Sequence, residues 1–327
     1  MKYTRREAKE YTREHMKGIW AAIPYPFTQD GQIDERGLRR DVRRYVDDLR
    51  IDGIFIGGLL GEVWSLTIEE RRRGQQIVLD EANGATQIIA HTVAASIRDT
   101  VALTQHAQKL GADFAIMGNP PLNSRHPDVT LTFFEAVCAE TDLGVGLFNT
   151  PISGYSLSPQ QIADIAEIEN IICVKNAQPA AHIIETRKLA GEKIVLCDPL
   201  EANLLDNMIF YGDQVHMSSP APYLFQTPGN TPIRDYYLAA IAGREEEARR
   251  IWATLARARI IEQKWIIAPW SLGYLPKAAI KAWSEMLGLS GGNPRLPIKP
   301  FTQAQKDELR RDLIWAGLLE KMAVAAE

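Results

Sequence analysis

Lys175 closes the apolar run Ile171-Ile172-Cys173-Val174. A charged amine at the end of such a run is costly, and desolvation lowers its pKa. A neutral amine attacks a carbonyl to give an iminium ion, an electron sink for making or breaking carbon–carbon bonds. The same placement also suits a lysine neutralised by a buried carboxylate, or one that snorkels out of the strand end. His91 and His216 fall in β-rich runs. Each reads either as a general acid or base near neutral pH or as a core histidine with satisfied nitrogens. His15, His106, His126 and His182 fall on helical stretches or in loops and read as surface residues. Metal hydrolysis of the barrel type is disfavoured, because the first β-rich run ends in Pro24-Tyr25-Pro26 with no His-x-His pair. A barrel glycosidase is disfavoured too, because the fourth run ends in Met117-Gly118-Asn119 with no carboxylate.

The elements that must position these groups alternate along the chain. Strands are predicted near 19–24, 53–58, 87–91, 113–117, 144–148, 171–175, 194–197 and 214–218. Helical periods lie near 34–49, 67–82, 97–110, 128–140, 158–168, 179–190 and 201–211. Eight strands each followed by a helix predict a closed parallel (β/α)₈ TIM barrel. The rival is an open doubly wound sheet, which wants a glycine-rich phosphate turn after its first strand, and Ile23-Pro24-Tyr25-Pro26 is not one. Thr67-Ile68-Glu69-Glu70 and Ser158-Pro159-Gln160-Gln161 read as capped helix starts. Gly111 and Gly191 read as helix ends. The expected organisation is an N-terminal helix over 1–17, the barrel over 18–233 and a C-terminal segment of two or three helices over 234–327. In that segment, 293–300 is an extended connector. Reactive groups of such a barrel gather at the C-terminal strand ends, which makes candidates of Tyr25, Gly58 to Glu62, His91, Asn119, Phe148, Asn149, Lys175, Asn176, Asp198, His216 and Ser218.

Composition narrows the function classes. Of 327 residues, 46% are hydrophobic and 24% charged, with 37 Lys plus Arg against 41 Asp plus Glu. The net charge of -4 offers no basic stripe to nucleic acid or an anionic membrane. Clusters such as Arg71-Arg72-Arg73 and Arg244 to Glu247 read as solvated helix faces. No apolar run is long enough to span a bilayer, and the charged N-terminus is not a secretory signal. Cys138, Cys173 and Cys197 show neither metal-ligand spacing nor an even count, which suits a reducing cytoplasm.

Three motifs resemble one family. Gly57-Gly58-Leu59-Leu60-Gly61-Glu62-Val63-Trp64-Ser65-Leu66-Thr67 is similar to the GTTGE-x-x-x-LT loop of dihydrodipicolinate synthases and N-acetylneuraminate lyases. Leu147-Phe148-Asn149-Thr150-Pro151 resembles their strand-five YN-x-P motif. Ile171 to Lys175 resembles their strand-six IIGIK run, whose lysine is the Schiff-base residue. The tail, with Leu275-Pro276-Lys277-Ala278 and Arg295-Leu296-Pro297, resembles the family's helical C-terminal segment. The resemblance runs in order and at family spacing from about residue 18 to the end of the chain.

It implies a cofactor-free class I lyase that forms an iminium between Lys175 and a 2-oxo acid and releases or adds pyruvate. Departures from the pattern shape the rest. The family's strand-five tyrosine is Phe148 here, its paired threonines are Leu59 and Leu60, its second tyrosine falls at Leu122, and an arginine of some members is absent from Pro151-Ile152-Ser153-Gly154. The backbone N–H groups of Leu59, Leu60 and Gly61 can still cradle a carboxylate. Tyr25 is the first choice for the displaced proton relay, with His91 and His216 next. Leu59, Leu60, Trp64, Leu122 and Phe148 suggest an apolar pocket for an aromatic or aliphatic substrate body, completed by Asn119, Asn149 and Ser218. The Gly118-Asn119-Pro120-Pro121 loop is similar to that of the hydratase-aldolase branch. A Schiff-base hydratase, decarboxylase or deaminase, or a non-catalytic barrel that binds a keto acid, are the other readings. The family resemblance implies a homotetramer.

Overall fold

The computed structural model describes residues 2–121, 125–218 and 220–320, with the side chain of Ser218 outside that description. Leu122 lies outside the described residues. Eight parallel strands run in the order β7-β6-β5-β4-β3-β2-β1-β8. They are β1 (Gly18–Ala22), β2 (Gly53–Ile56), β3 (Gln87–His91), β4 (Phe114–Gly118), β5 (Gly144–Asn149), β6 (Ile171–Asn176), β7 (Val195–Cys197) and β8 (Val215–Ser218). Hydrogen-bonded pairing links β1 to both β2 and β8, and β7 meets β8 at the seam of a nearly closed barrel. The expected (β/α)₈ barrel is present, and the strands match their predicted spans to within two residues at each end. Because the sheet is parallel and covered by helices, its strands are buried along their whole length, as in β1, β5 and β6.

Helix starts obey local chemistry. The Thr67 hydroxyl accepts from Glu70 N while the Glu70 carboxylate accepts from Thr67 N, a reciprocal cap on the Ile68–Ala82 helix. Ser158 and Gln161 do the same for Pro159–Ile165, with proline in the first turn. Gly111 is left-handed at φ 87°. Gly191 ends its helix differently: it keeps right-handed backbone, and a Cβ there would meet the Arg187 carbonyl oxygen at 2.6 Å. Close approach, rather than backbone handedness, requires glycine at that point.

By contacts the chain divides into two units. One comprises Met1–Ile23 with Ile51–Ser219, and the other Pro24–Arg50 with Pro220–Glu327. In the first, an N-terminal segment with a helix over Ala8–His15 is tied to the N-terminal ends of the strands. The Tyr3 hydroxyl donates to the Asp113 carbonyl at 2.6 Å and accepts from Gly144 N at 2.9 Å. In the second, Phe225 stacks on Trp283 and Tyr45 packs on Tyr223. The Asp41 carboxylate accepts from Ser290 N and Oγ, and burial lifts its pKa to about 6. The C-terminal part of this unit is more finely divided than two or three helices. It includes Pro232–Ile241, Glu245–Thr254, Ala256–Glu262, Lys277–Met286 and Gln303–Ala316, with short helical turns over 263–271. Residues 293–300 are irregular, as expected of a connector.

Candidate active site

Lys175 sits on the last turn of pleat before β6 ends and is buried to 1% exposure. Its direction is set by an irregularity. Val145 pairs with Ile171, but Gly146 pairs with Cys173, so Ile172 is an extra residue in β6. One extra residue reverses the facing of every residue after it. Without it Phe148 would face Val174; with it Phe148 pairs with Lys175. The small residue at Gly146 makes room for this arrangement, since a Cβ there would lie 2.7 Å from the Cys173 sulfur.

Two aromatic rings border the amine. Nζ lies 5.0 Å from the ring centroid of Phe55 on β2 and 4.9 Å from that of Phe148. The rings are edge-to-face at 86°, with centroids 5.8 Å apart. Gly58 lets the Phe55 ring settle, because a Cβ at residue 58 would lie 2.7 Å from its Cζ. Burial drives the Lys175 amine down from 10.5 to about 7, with Cys197 across β7 pulling it back up. Cys197 stays a thiol: its contact with Cys173 and its burial both raise its pKa. His216, fully buried on β8, is pushed down to about 3 by burial and then by the Lys175 charge, while the Asp198 backbone pulls upward.

His91 ends β3 as expected and is also buried. Burial and the neighbouring Arg71 guanidinium push it down to about 3. Arg71 corrects the reading of Arg71-Arg72-Arg73 as a solvated face. It is 5% exposed and donates to the carbonyls of His91 at 3.1 Å and Val93 at 2.8 Å. The helical period puts it on the inner face with Gly74, Gln75, Ile77 and Val78. Tyr25 is buried but lies three residues beyond β1, in the second unit, rather than at the strand end.

The loop after β2 carries Leu59, Leu60 and Gly61. Their N–H groups donate to no acceptor among the described residues, whereas Glu62 N and Val63 N are bonded to the carbonyls of Leu59 and Gly58. Glu62 is fully buried and left-handed at φ 57°, a rare conformation for a residue with a side chain. Leu60 is buried and Trp64 is 39% exposed at the loop's outer edge.

Asn119 and Asn149 hold the rim. The Asn149 amide donates to the Leu157 carbonyl and Asn176 Oδ1 and accepts from Leu157 N and Asn119 Nδ2. These four bonds use its full hydrogen-bonding capacity. Asn119 also donates to the Tyr155 carbonyl at 2.6 Å. Asn176 continues the chain of bonds to His182, whose Nε2 pairs with the Leu157 carbonyl at 2.8 Å. His182 is thus part of the same scaffold rather than a plain surface residue. Asp198 accepts from Leu200 N and from the side chains of Asn203 and Asn207. Phe55 and Arg71 are absent from the sequence-based set of site residues. Only strand parity and helical phase, once the elements are placed, reveal them. Among the described residues no group of His, Cys, Asp and Glu has the arrangement of a metal site.

A parallel eight-stranded barrel with a buried lysine closing its sixth strand defines the class. A family profile for the dihydrodipicolinate synthetase family matches residues 15–315, and the chain belongs to that family. It is 29% identical over 182 residues to an N-acetylneuraminate lyase of Fusobacterium nucleatum, covering 55% of this chain and 63% of the lyase. It therefore spans less than two thirds of that relative's length. It is 27% identical over 296 residues to a 4-hydroxy-tetrahydrodipicolinate synthase of Methanothrix thermoacetophila, covering 90% of this chain and 95% of the synthase. The dihydrodipicolinate synthase structure from Aquifex aeolicus superposes with a TM-score of 0.80 at 25% identity, covering 93% of this chain and all of that one. A prophage protein of the same family from E. coli K12, solved in complex with pyruvate, shares the fold with a TM-score of 0.79 at 23% identity, covering 93% of this chain and 99% of that one.

Proposed function

We propose that this chain is a Schiff-base-forming lyase that acts on a 2-oxo acid and releases or adds pyruvate. The observation that carries the reading is the buried Lys175 amine, held near neutrality by desolvation at the end of β6. The neutral amine attacks the keto carbon, and the carbinolamine hydroxyl leaves as water after protonation. The hydroxyl on the departing carbon then gives up its proton to the relay as that carbon leaves as an aldehyde, and the electron pair of the broken carbon–carbon bond passes into the iminium to give an enamine. Protonation of the enamine and addition of water return pyruvate and the free amine.

The N–H groups of Leu59, Leu60 and Gly61 are the donors we assign to the substrate carboxylate. Phe148 has no proton to move. We assign the relay to His216, whose imidazole feels the Lys175 charge, with Tyr25 and His91 as the groups to compare against it. Leu59, Leu60 and Phe148 favour a substrate with an apolar or aromatic body. Three buried cysteines without disulfides support a cytoplasmic setting, and the family resemblance supports a homotetramer.

Borohydride reduction in the presence of pyruvate tests the reading. The mass should rise by one reduced three-carbon adduct at Lys175, and Lys175→Ala should show none. Absence of an adduct with every 2-oxo acid tried, or an adduct that persists in Lys175→Ala, overturns it. Product analysis then separates carbon–carbon cleavage from hydration, decarboxylation or deamination.

A further inference from the structure

We propose that Phe55 and Phe148 form an aromatic cage that stabilises the iminium cation on Lys175, making Phe55 a catalytic residue of the reaction proposed above. The inference rests on that reading of the reaction, and its geometry comes from two strands far apart in the sheet. Nζ lies within 5.0 Å of one ring centroid and 4.9 Å of the other. Cations within about 6 Å of a ring centroid are drawn to its face. The rings meet at 86°, so they form two walls of a corner rather than a stack. Phe55 is 2% exposed and Phe148 6%, so water screens neither contact. The Phe55 ring is fixed by Gly58 on one side and neighbours His91, with centroids 6.2 Å apart.

The chemistry gives this corner a task. The attacking amine is neutral and gains little from the rings. The iminium is planar and weakly hydrated, and only while its nitrogen stays protonated does it act as the electron sink that the carbon–carbon step needs. Stabilisation therefore falls on the intermediate and the steps flanking it, where it accelerates the reaction. Cys197 from β7, held as a thiol, and His216 from β8, pushed down by burial, also share the amine's electrostatic environment.

The test replaces Phe55 and Phe148, one at a time, with mono-, di- and trifluorophenylalanine, which drain the ring face at nearly constant shape. Phe55→Leu and Phe148→Leu accompany them. The fraction of protein trapped by borohydride is measured across pyruvate concentrations, with the pH midpoint of Lys175 labelling read in parallel. Each step of fluorination should weaken iminium formation, by roughly two- to thirty-fold in total per ring, and should lower the amine's midpoint. A wild type that forms the adduct, with a fluorine series flat in both readouts, overturns the cage alone. A wild type that forms no adduct overturns the reaction and the cage with it.

Discussion

Phe148 and Lys175 are register partners across β5 and β6, and the extra residue at Ile172 is what pairs them. The ring centroid stands 4.9 Å from the amine. A ring without a hydroxyl therefore stands beside the nitrogen as its register partner, and proton transfer has to reach that nitrogen from another group.

His216→Ala is accordingly expected to slow iminium formation under single turnover by about 10²-fold or more, the usual worth of a positioned acid–base group. Tyr25→Phe and His91→Ala are measured beside it. Loss in Tyr25→Phe with full rate in His216→Ala moves the relay to the tyrosine. Full rate in all three leaves water as the carrier.

Substrate character follows from Leu59 and Leu60. Arylidene or alkylidene pyruvates should turn over, while N-acetylneuraminate, or aspartate semialdehyde with pyruvate, should not. Steady-state rates with a panel of such compounds check this. Leu59→Thr combined with Leu60→Thr should shift preference toward the polar substrates.

Lys175 should cost the folded state stability near neutral pH. Its pKa falls from 10.5 to about 7 on folding, so the unfolded chain binds more protons between those values. Stability should rise as pH increases from 7 toward 10.5, with a ceiling on the order of 4 kcal/mol at about 1.4 kcal/mol per unit. Lys175→Met should be more stable than wild type at pH 7, with the gap narrowing by pH 10. Urea denaturation at the two pH values measures it.

Asn149→Ala should lose about 2–4 kcal/mol, because it strands the buried partners Leu157 and Asn176. The midpoint of urea unfolding should fall. Borohydride trapping should weaken as well, since Asn149 follows Phe148 directly in β5.

The barrel was legible because its signals are local. Short β-rich runs, capped helices at Thr67 and Ser158, and a regular alternation place every strand to within two residues. Lys175 was legible because an amine closing an apolar run is chemically conspicuous. What surrounds it was not. Phe55 joins the site through the facing of β2, Phe148 meets Lys175 only through the one-residue irregularity in β6, and a run of arginines does not reveal which one turns inward. Asn149 looks like a ligand for substrate in sequence, and only the structure shows the four bonds of its amide.

The N-terminal segment orders events during synthesis. Tyr3 bonds to Asp113 and Gly144, partners 110 and 141 residues later in the chain. At about 5–20 residues per second, Tyr3 is made roughly 7–30 s before Gly144 exists to receive it. A helix translated ahead of the whole barrel is thus seated only after the barrel's middle strands have been made, so the first segment to be synthesised is among the last to find its place.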